Sequence, residues 1–379
     1  MNREELLVYI RNAVLIGDMV NNCQDFDVIT NLECRIKEYV DLVELKESIN
    51  GSIEYNGMYF KEENGEIILT LCLGSYSELN LGDSVDAIGH CAFLHNTAIK
   101  KVTGKCVSRI GKCAFAECGI MGVDFPTLTE IGEGCFYGSF IESAKLPLLD
   151  KISSGAFKEC HHFTVVLFDN VTEIHHKAFC NSGIVAICAP KLEKVFASAF
   201  EDCIHLYSVD AYKLYYVGNS AFMGCHALTS ISFDNILSIG NHAFQNTGLS
   251  EIICSANVIE KNAFACCDNL ISVDLNSTKH ISDSLFAYCL NLKRARFDNA
   301  RWIESEAFVN CINLKEVAIS SESKMIEEDA FLNCVKLKTI NLTSKTLIHK
   351  DSFKDCFSLE LKIRLTIFLS HLRQTLRWL

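Results

Sequence analysis

Cysteine and histidine are the residues of this chain whose types and spacing could do chemistry. The 379 residues contain 20 cysteines and 12 histidines. A zinc site of Cys and His ligands needs close pairs, such as Cys-x-x-Cys, at a suitable separation. Cys266-Cys267 lacks that spacing, and Cys106, Cys113 and Cys118 do not form the two close pairs of a zinc finger. His161-His162 and His175-His176 have no Cys-x-x-Cys or carboxylate set beside them, so they read as loop histidines. No metal or other cofactor is expected. The nucleophile elbow Gly-x-Ser-x-Gly, a phosphate-binding glycine loop and His-Glu-x-x-His are also absent, and the chain is expected not to be an enzyme.

The cysteines follow a different rule. Nine of them, Cys118, Cys160, Cys203, Cys225, Cys267, Cys289, Cys311, Cys334 and Cys356, lie three residues after a phenylalanine. Asn96, Ser139, Ser182 and Thr247 take the same position elsewhere. Ser and Thr cannot form disulfides, whereas small side chains that hydrogen-bond in a tight loop suit every copy. The register therefore reads as a ladder of buried, reduced thiols. The alternative is oxidation, because adjacent coils would bring ladder cysteines to within roughly 5 Å, inside the disulfide range.

The elements that set this spacing form a repeat. Its phenylalanine recurs as Phe93, Phe115, Phe136, Phe157, Phe179, Phe200, Phe222, Phe244, Phe264, Phe286, Phe308, Phe331 and Phe353, in steps of 20 to 23 residues. Five residues before each stands Ile or Val, as in Ile239-Gly240-Asn241-His242-Ala243-Phe244. The loop after the Phe ends at an aliphatic such as Leu270. Alternation then follows, as in Val273-Asp274-Leu275, the mark of a short strand with one face buried. Pro126, Pro147 and Pro190 each fall ten residues before a repeat Phe, where strand pairing must stop. Phe168-Asp169-Asn170, Phe233-Asp234-Asn235 and Phe297-Asp298-Asn299 supply a turn at that place by another means. One copy is too small to enclose a core, so copies must stack and the ends need caps.

Outside the repeat, residues 1–50 read as amphipathic helices and 51–83 as a β cap with hairpins at Asn56-Gly57 and Asn64-Gly65. Residues 84–359 form about thirteen coils. At 360–379, Lys362 and Arg364 replace the apolar strand positions, and Leu365, Phe368, Leu369, Leu372 and Leu376 take helical spacing. This tail reads as a helical cap or the remnant of a truncated repeat, with a membrane-surface helix as the alternative. A net charge of −12 argues against nucleic acid as a partner. The acidic start Met1-Asn2-Arg3-Glu4-Glu5 is unlike a secretory signal, and no run of about 18 apolar residues would span a membrane. Read alone, this predicts a cytoplasmic protein.

The phrase from Leu270 to Phe286, followed by Cys289, resembles the BspA-type (Treponema pallidum-type) leucine-rich repeat, and the likeness extends from about residue 84 to 359. It implies an α/β fold, a right-handed leucine-rich-repeat solenoid with short parallel β-strands on a concave face. It also implies a place at the cell surface and a role in adhesion or protein binding. Two features depart from the pattern: the absent signal, and prolines at only three strand exits.

Specificity is then expected in the outward strand residues. The candidate binding residues are Lys145, Val166, Cys188, Asp210, Glu251, Asp274, Arg294 and Arg296. Val166 and Cys188 suggest an apolar middle, Asp210 and Asp274 supply acids, and Arg is favoured at interface hot spots. The leading expectation is a non-enzymatic solenoid recognising a protein ligand. The alternative is an intracellular scaffold that recruits partners through its N-terminal helices.

Overall fold

A computed structural model describes residues 3, 4, 6 and 51–376. The chain divides into two compact units, Met1–Ala189 and Pro190–Leu379. The predicted helices of residues 1–50 lie outside the described residues except at positions 3, 4 and 6, which are helical. Leu6 is buried, and the Arg3 guanidinium donates to Asp86 Oδ1 at 2.5 Å and to the Gly65 carbonyl at 3.2 Å.

The first unit opens with three antiparallel strands, Ile53–Tyr55, Met58–Glu63 and Glu66–Cys72. Both predicted Asn-Gly turns join them. Asn56 and Gly57 have φ of 53° and 75°, Asn64 and Gly65 of 55° and 83°, the doubly left-handed geometry that matches strand twist. The third strand pairs in parallel with Ala87–Ile88, through Ile68↔Ala87 and Leu69↔Ile88. The hairpins thus present a ready edge to the first coil.

Each coil has three parts. An outer strand of two to four residues, such as Ser272–Asp274, leads through a turn to a two-residue strand, such as His280–Ile281. The segment around the Phe closes the coil. Stacking produces parallel sheets from both strand types, with Ser272↔Arg294↔Glu316 in one register and His280↔Trp302↔Met325 in another. The sequence pattern marks one short strand per coil, and the structure adds this second one at the Ile five residues before the Phe.

The Phe segment stacks without being a strand. Its residues two before and two after the Phe are left-handed, as at Ser284 (φ 55°) and Tyr288 (φ 60°) around Phe286. This alternation points every second N–H along the stack. Ser284, Phe286 and Tyr288 donate to the carbonyls of Ser305, Ala307 and Val309 in the next coil at 3.0, 2.9 and 2.8 Å. The backbone polar groups are thereby satisfied inside the core. The rings follow the same translation: Phe115 and Phe136 stack at 5.3 Å in the first unit, Phe222 and Phe244 at 5.2 Å in the second. These rings are fully buried, and each contributes roughly 1.5–3 kcal/mol of hydrophobic stabilisation.

The Phe-Asp-Asn turns reach backwards as well. Asn170 and Asn235 Nδ2 donate to the carbonyls of Pro147 and Tyr212, one coil earlier, at 2.7 and 2.6 Å. After the last coil of the second unit comes a helix, Leu361–Leu376. A strand there would bury Lys362 and Arg364, whereas the helix leaves both exposed and buries Ile363 and Ser370. Among the described residues no helix is long and apolar enough to cross a membrane.

Candidate functional site

In the second unit, the strands Glu251–Ile253, Ser272–Asp274, Arg294–Phe297, Glu316–Ile319 and Thr339–Ile340 form one parallel sheet. Side-chain alternation buries Val273, Ala295, Val317 and Ile340 and turns their neighbours outward. Register then sets the outward groups side by side: Ile253, Asp274 and Arg296 in one row, Glu251, Ser272, Arg294 and Glu316 in the other. Of the eight candidate residues, this sheet brings together Glu251, Asp274, Arg294 and Arg296. A shallow groove of about 370 Å³ runs over Arg294, Arg296, Glu316, Ala318 and Asn341.

The charges in this patch are unequally satisfied. Arg296 donates to Asp298 Oδ2 at 2.6 Å and lies 4.0 Å from Asp274 Oδ2. The hydrogen bond to Asp298, followed by the charges of Asp298 and Asp274, raises the Arg296 pKa above its ordinary value. Arg294 is exposed and, among the described residues, enters no ion pair. Asp274 Oδ1 is buried and, among the described residues, finds no hydrogen-bond donor. Glu251 is already engaged, accepting from Ser272 Oγ at 3.0 Å.

Asp210 belongs to a different sheet, its strand Ser208–Asp210 pairing with Ser230–Ile231. Lys145 and Cys188 lie in the first unit, where Lys145 bonds Asp124 at 3.1 Å. Val166 is a correction: it is 4% exposed and belongs to the core. The strand Val165–Leu167 presents Val165 and Leu167 instead, 62% and 72% exposed. A one-residue slip exchanges the two faces of a strand. Phe163 occupies the Leu position of that repeat, so counting three onward puts Val166 inside, and the outward pair moves by one. Leu167 lies opposite Cys188, so the apolar surface in that coil pair is real but differently composed.

Glu316, Ala318 and Asn341 complete the groove beyond the expected set. Strand alternation placed them outward but did not distinguish them from other polar positions. Asn341 holds the groove's edge, accepting from Ile319 N at 2.7 Å and donating to Ile319 O at 2.6 Å. A second depression, about 360 Å³, touches Lys61, His90, Arg109 and Lys112 in the first unit. Arg109 pairs with Glu66 and Lys112 with Glu133, so its main cations serve the coil-to-coil structure.

The cysteine register is a hydrogen-bond ladder. The thiols of Cys225, Cys267, Cys289, Cys311, Cys334 and Cys356 each donate to the Phe carbonyl of the preceding coil at 3.0 to 3.2 Å. Thr247 Oγ1 plays a related part by donating to Phe244 O at 2.9 Å. Every described cysteine is a free thiol. Desolvation pushes the thiols of Cys91, Cys118 and Cys160 up to about 12, which keeps them protonated and unreactive at neutral pH.

The geometry defines a leucine-rich-repeat type of β-solenoid bearing a charged strand face. The model described as BspA type Leucine rich repeat region (6 copies) matches residues 70–185, 150–259, 193–301 and 238–360. The chain belongs to this BspA-type leucine-rich repeat family. A leucine-rich repeat protein from Bacteroides ovatus shares 20% identity and a TM-score of 0.58, covering 81% of this chain and 87% of that one. A leucine rich cell surface protein from Faecalibacterium prausnitzii shares 19% identity with a TM-score of 0.42, covering 76% and 94%. The Treponema pallidum leucine-rich repeat protein shares 18% identity with a TM-score of 0.22, covering 75% and 89%. No curated protein sequence matched the chain.

Proposed function

We propose that the chain is a non-enzymatic protein-binding repeat protein and that the strand face from Asp274 to Asn341 takes an extended segment of a protein ligand. The observation that carries this reading is an uncommitted cation on an exposed strand face: among the described residues Arg294 enters no ion pair. A ligand carboxylate would meet Arg294 beside the small side chain of Ala318. Arg at the centre of such a patch suits a hot spot. A role as a surface adhesin is proposed from the family resemblance.

The test uses a displayed random-peptide library selected on the immobilised full chain. Selected peptides are expected to lose at least roughly tenfold in affinity for the double variant Arg294→Glu/Arg296→Glu. Equal affinity for the variant and the parent, with unchanged melting, would sink the site assignment.

A further inference from the structure

The helix Leu361–Leu376 has two apolar sides. At about 100° per residue, Ile363, Thr366, Ile367 and Ser370 share one side. Ile363 and Ser370 are buried there, and Ser370 Oγ donates to the Thr346 carbonyl at 3.1 Å, fastening the helix to the last coil. Leu361, Leu365, Phe368 and Leu369 fall on the opposite side within an arc of about 100°. They are 80%, 58%, 58% and 44% exposed. Arg364 borders this stripe on one edge and Lys362 on the other, and both are exposed.

Charge identifies what suits the stripe. The helix carries Lys362, Arg364, His371 and Arg373 and no acid, although the whole chain has a net charge of −12. A row of large apolar side chains with cations along its edges suits the boundary of an anionic bilayer. There the apolar groups enter the acyl region while Lys and Arg stems reach back to the headgroups. A second copy of the chain is a poorer cover. Two such helices packed stripe to stripe would bring their basic edges together with no acid on either helix.

We propose that the outer face of Leu361–Leu376 is an interfacial membrane-binding surface for anionic lipid. It lies in the membrane plane, with Leu361, Leu365, Phe368 and Leu369 inserted and Lys362 and Arg364 at the headgroups. One short helix on an acidic protein gives weak, reversible and salt-sensitive attachment. This surface is separate from the strand-face groove and does not rest on that reading.

Co-sedimentation of the full chain with vesicles of phosphatidylcholine, with and without phosphatidylserine, tests the proposal at low ionic strength. Binding is expected only with phosphatidylserine. It should fall at least roughly tenfold in Leu365→Ser/Phe368→Ser and in Lys362→Glu/Arg364→Glu. These side chains are exposed, so unchanged melting serves as the folding check. The proposal is overturned if the parent stays in the supernatant or if either double variant binds as the parent does. It is also overturned if light scattering shows a dimer that Leu365→Ser/Phe368→Ser dissolves, because a second copy then covers the stripe.

Discussion

The Cys311 thiol donates to the main-chain carbonyl of Phe286, one coil back, at 3.1 Å, and that carbonyl also accepts from Cys289 N at 3.2 Å. The cysteine is therefore a polar link between coils although it sits among apolar side chains. In a purely apolar pocket, Ser would be worse than Ala because it would bury an unpaired hydroxyl. Here the order reverses: Cys311→Ser is expected to retain about 0.5–1.5 kcal/mol that Cys311→Ala loses. Urea midpoints of the two full-length variants decide the matter. Ala equal to or better than Ser would show that the thiol contributes packing alone.

The same burial makes the fold sensitive to alkali. An unfolded thiol ionises near its ordinary 9.0, whereas burial holds Cys91, Cys118 and Cys160 near 12. Below pH 9 both states keep their protons and these thiols add no pH dependence. Between about 9 and 12 the unfolded chain releases protons that the folded chain retains, so stability falls as pH rises. Each such thiol adds a slope of up to about 1.4 kcal/mol per pH unit. Urea midpoints followed from pH 7 to pH 11 are expected to decline, and to decline less in Cys118→Ser/Cys160→Ser. Identical slopes in parent and variant would place the alkaline sensitivity elsewhere.

The legible part of this molecule is the part fixed by side chains. Phe244 and its equivalents must fill one position on the inside of every coil, so a single residue type marks the stack along the sequence. The cysteine register is legible for a related reason: its Ser and Thr substitutes share the ability to donate. The left-handed pairs around each Phe leave a weaker mark: Asn, Asp or Gly, which tolerate that conformation, recurs two residues after the Phe, as at Gly138, Asn181, Gly224 and Asn246. Ser284, Tyr288 and Glu306 adopt the same conformation without that advantage, because inter-coil backbone bonds require it. Val166 shows a second limit. Where valines fill three successive apolar positions with Leu167, alternation has no polar partner to fix its phase, and only the preceding Phe163 does so. The groove depends on yet another layer, since Arg294 and Arg296 differ in whether an acid lies within reach. Side-chain conformation decides that.

Glu306 offers a direct test of the left-handed backbone. It has φ of 55°, its side chain is exposed, and its N–H donates to the Glu328 carbonyl of the next coil at 3.3 Å. A residue with a Cβ pays roughly 1–2 kcal/mol to hold that conformation, and a β-branched one more, whereas glycine is free of the clash. Gly134 and Gly155 already occupy the equivalent position in their coils, with φ of 59° and 62°. Glu306→Gly loses some of this advantage to the greater entropy of the unfolded chain. It is still expected to stabilise the protein by about 0.5–1 kcal/mol, and Glu306→Val to destabilise it by at least about 1 kcal/mol. Thermal midpoints of the three proteins give the order Gly, Glu, Val. Val equal to Glu would mean that the left-handed geometry at this coil is not what the stacking bonds demand.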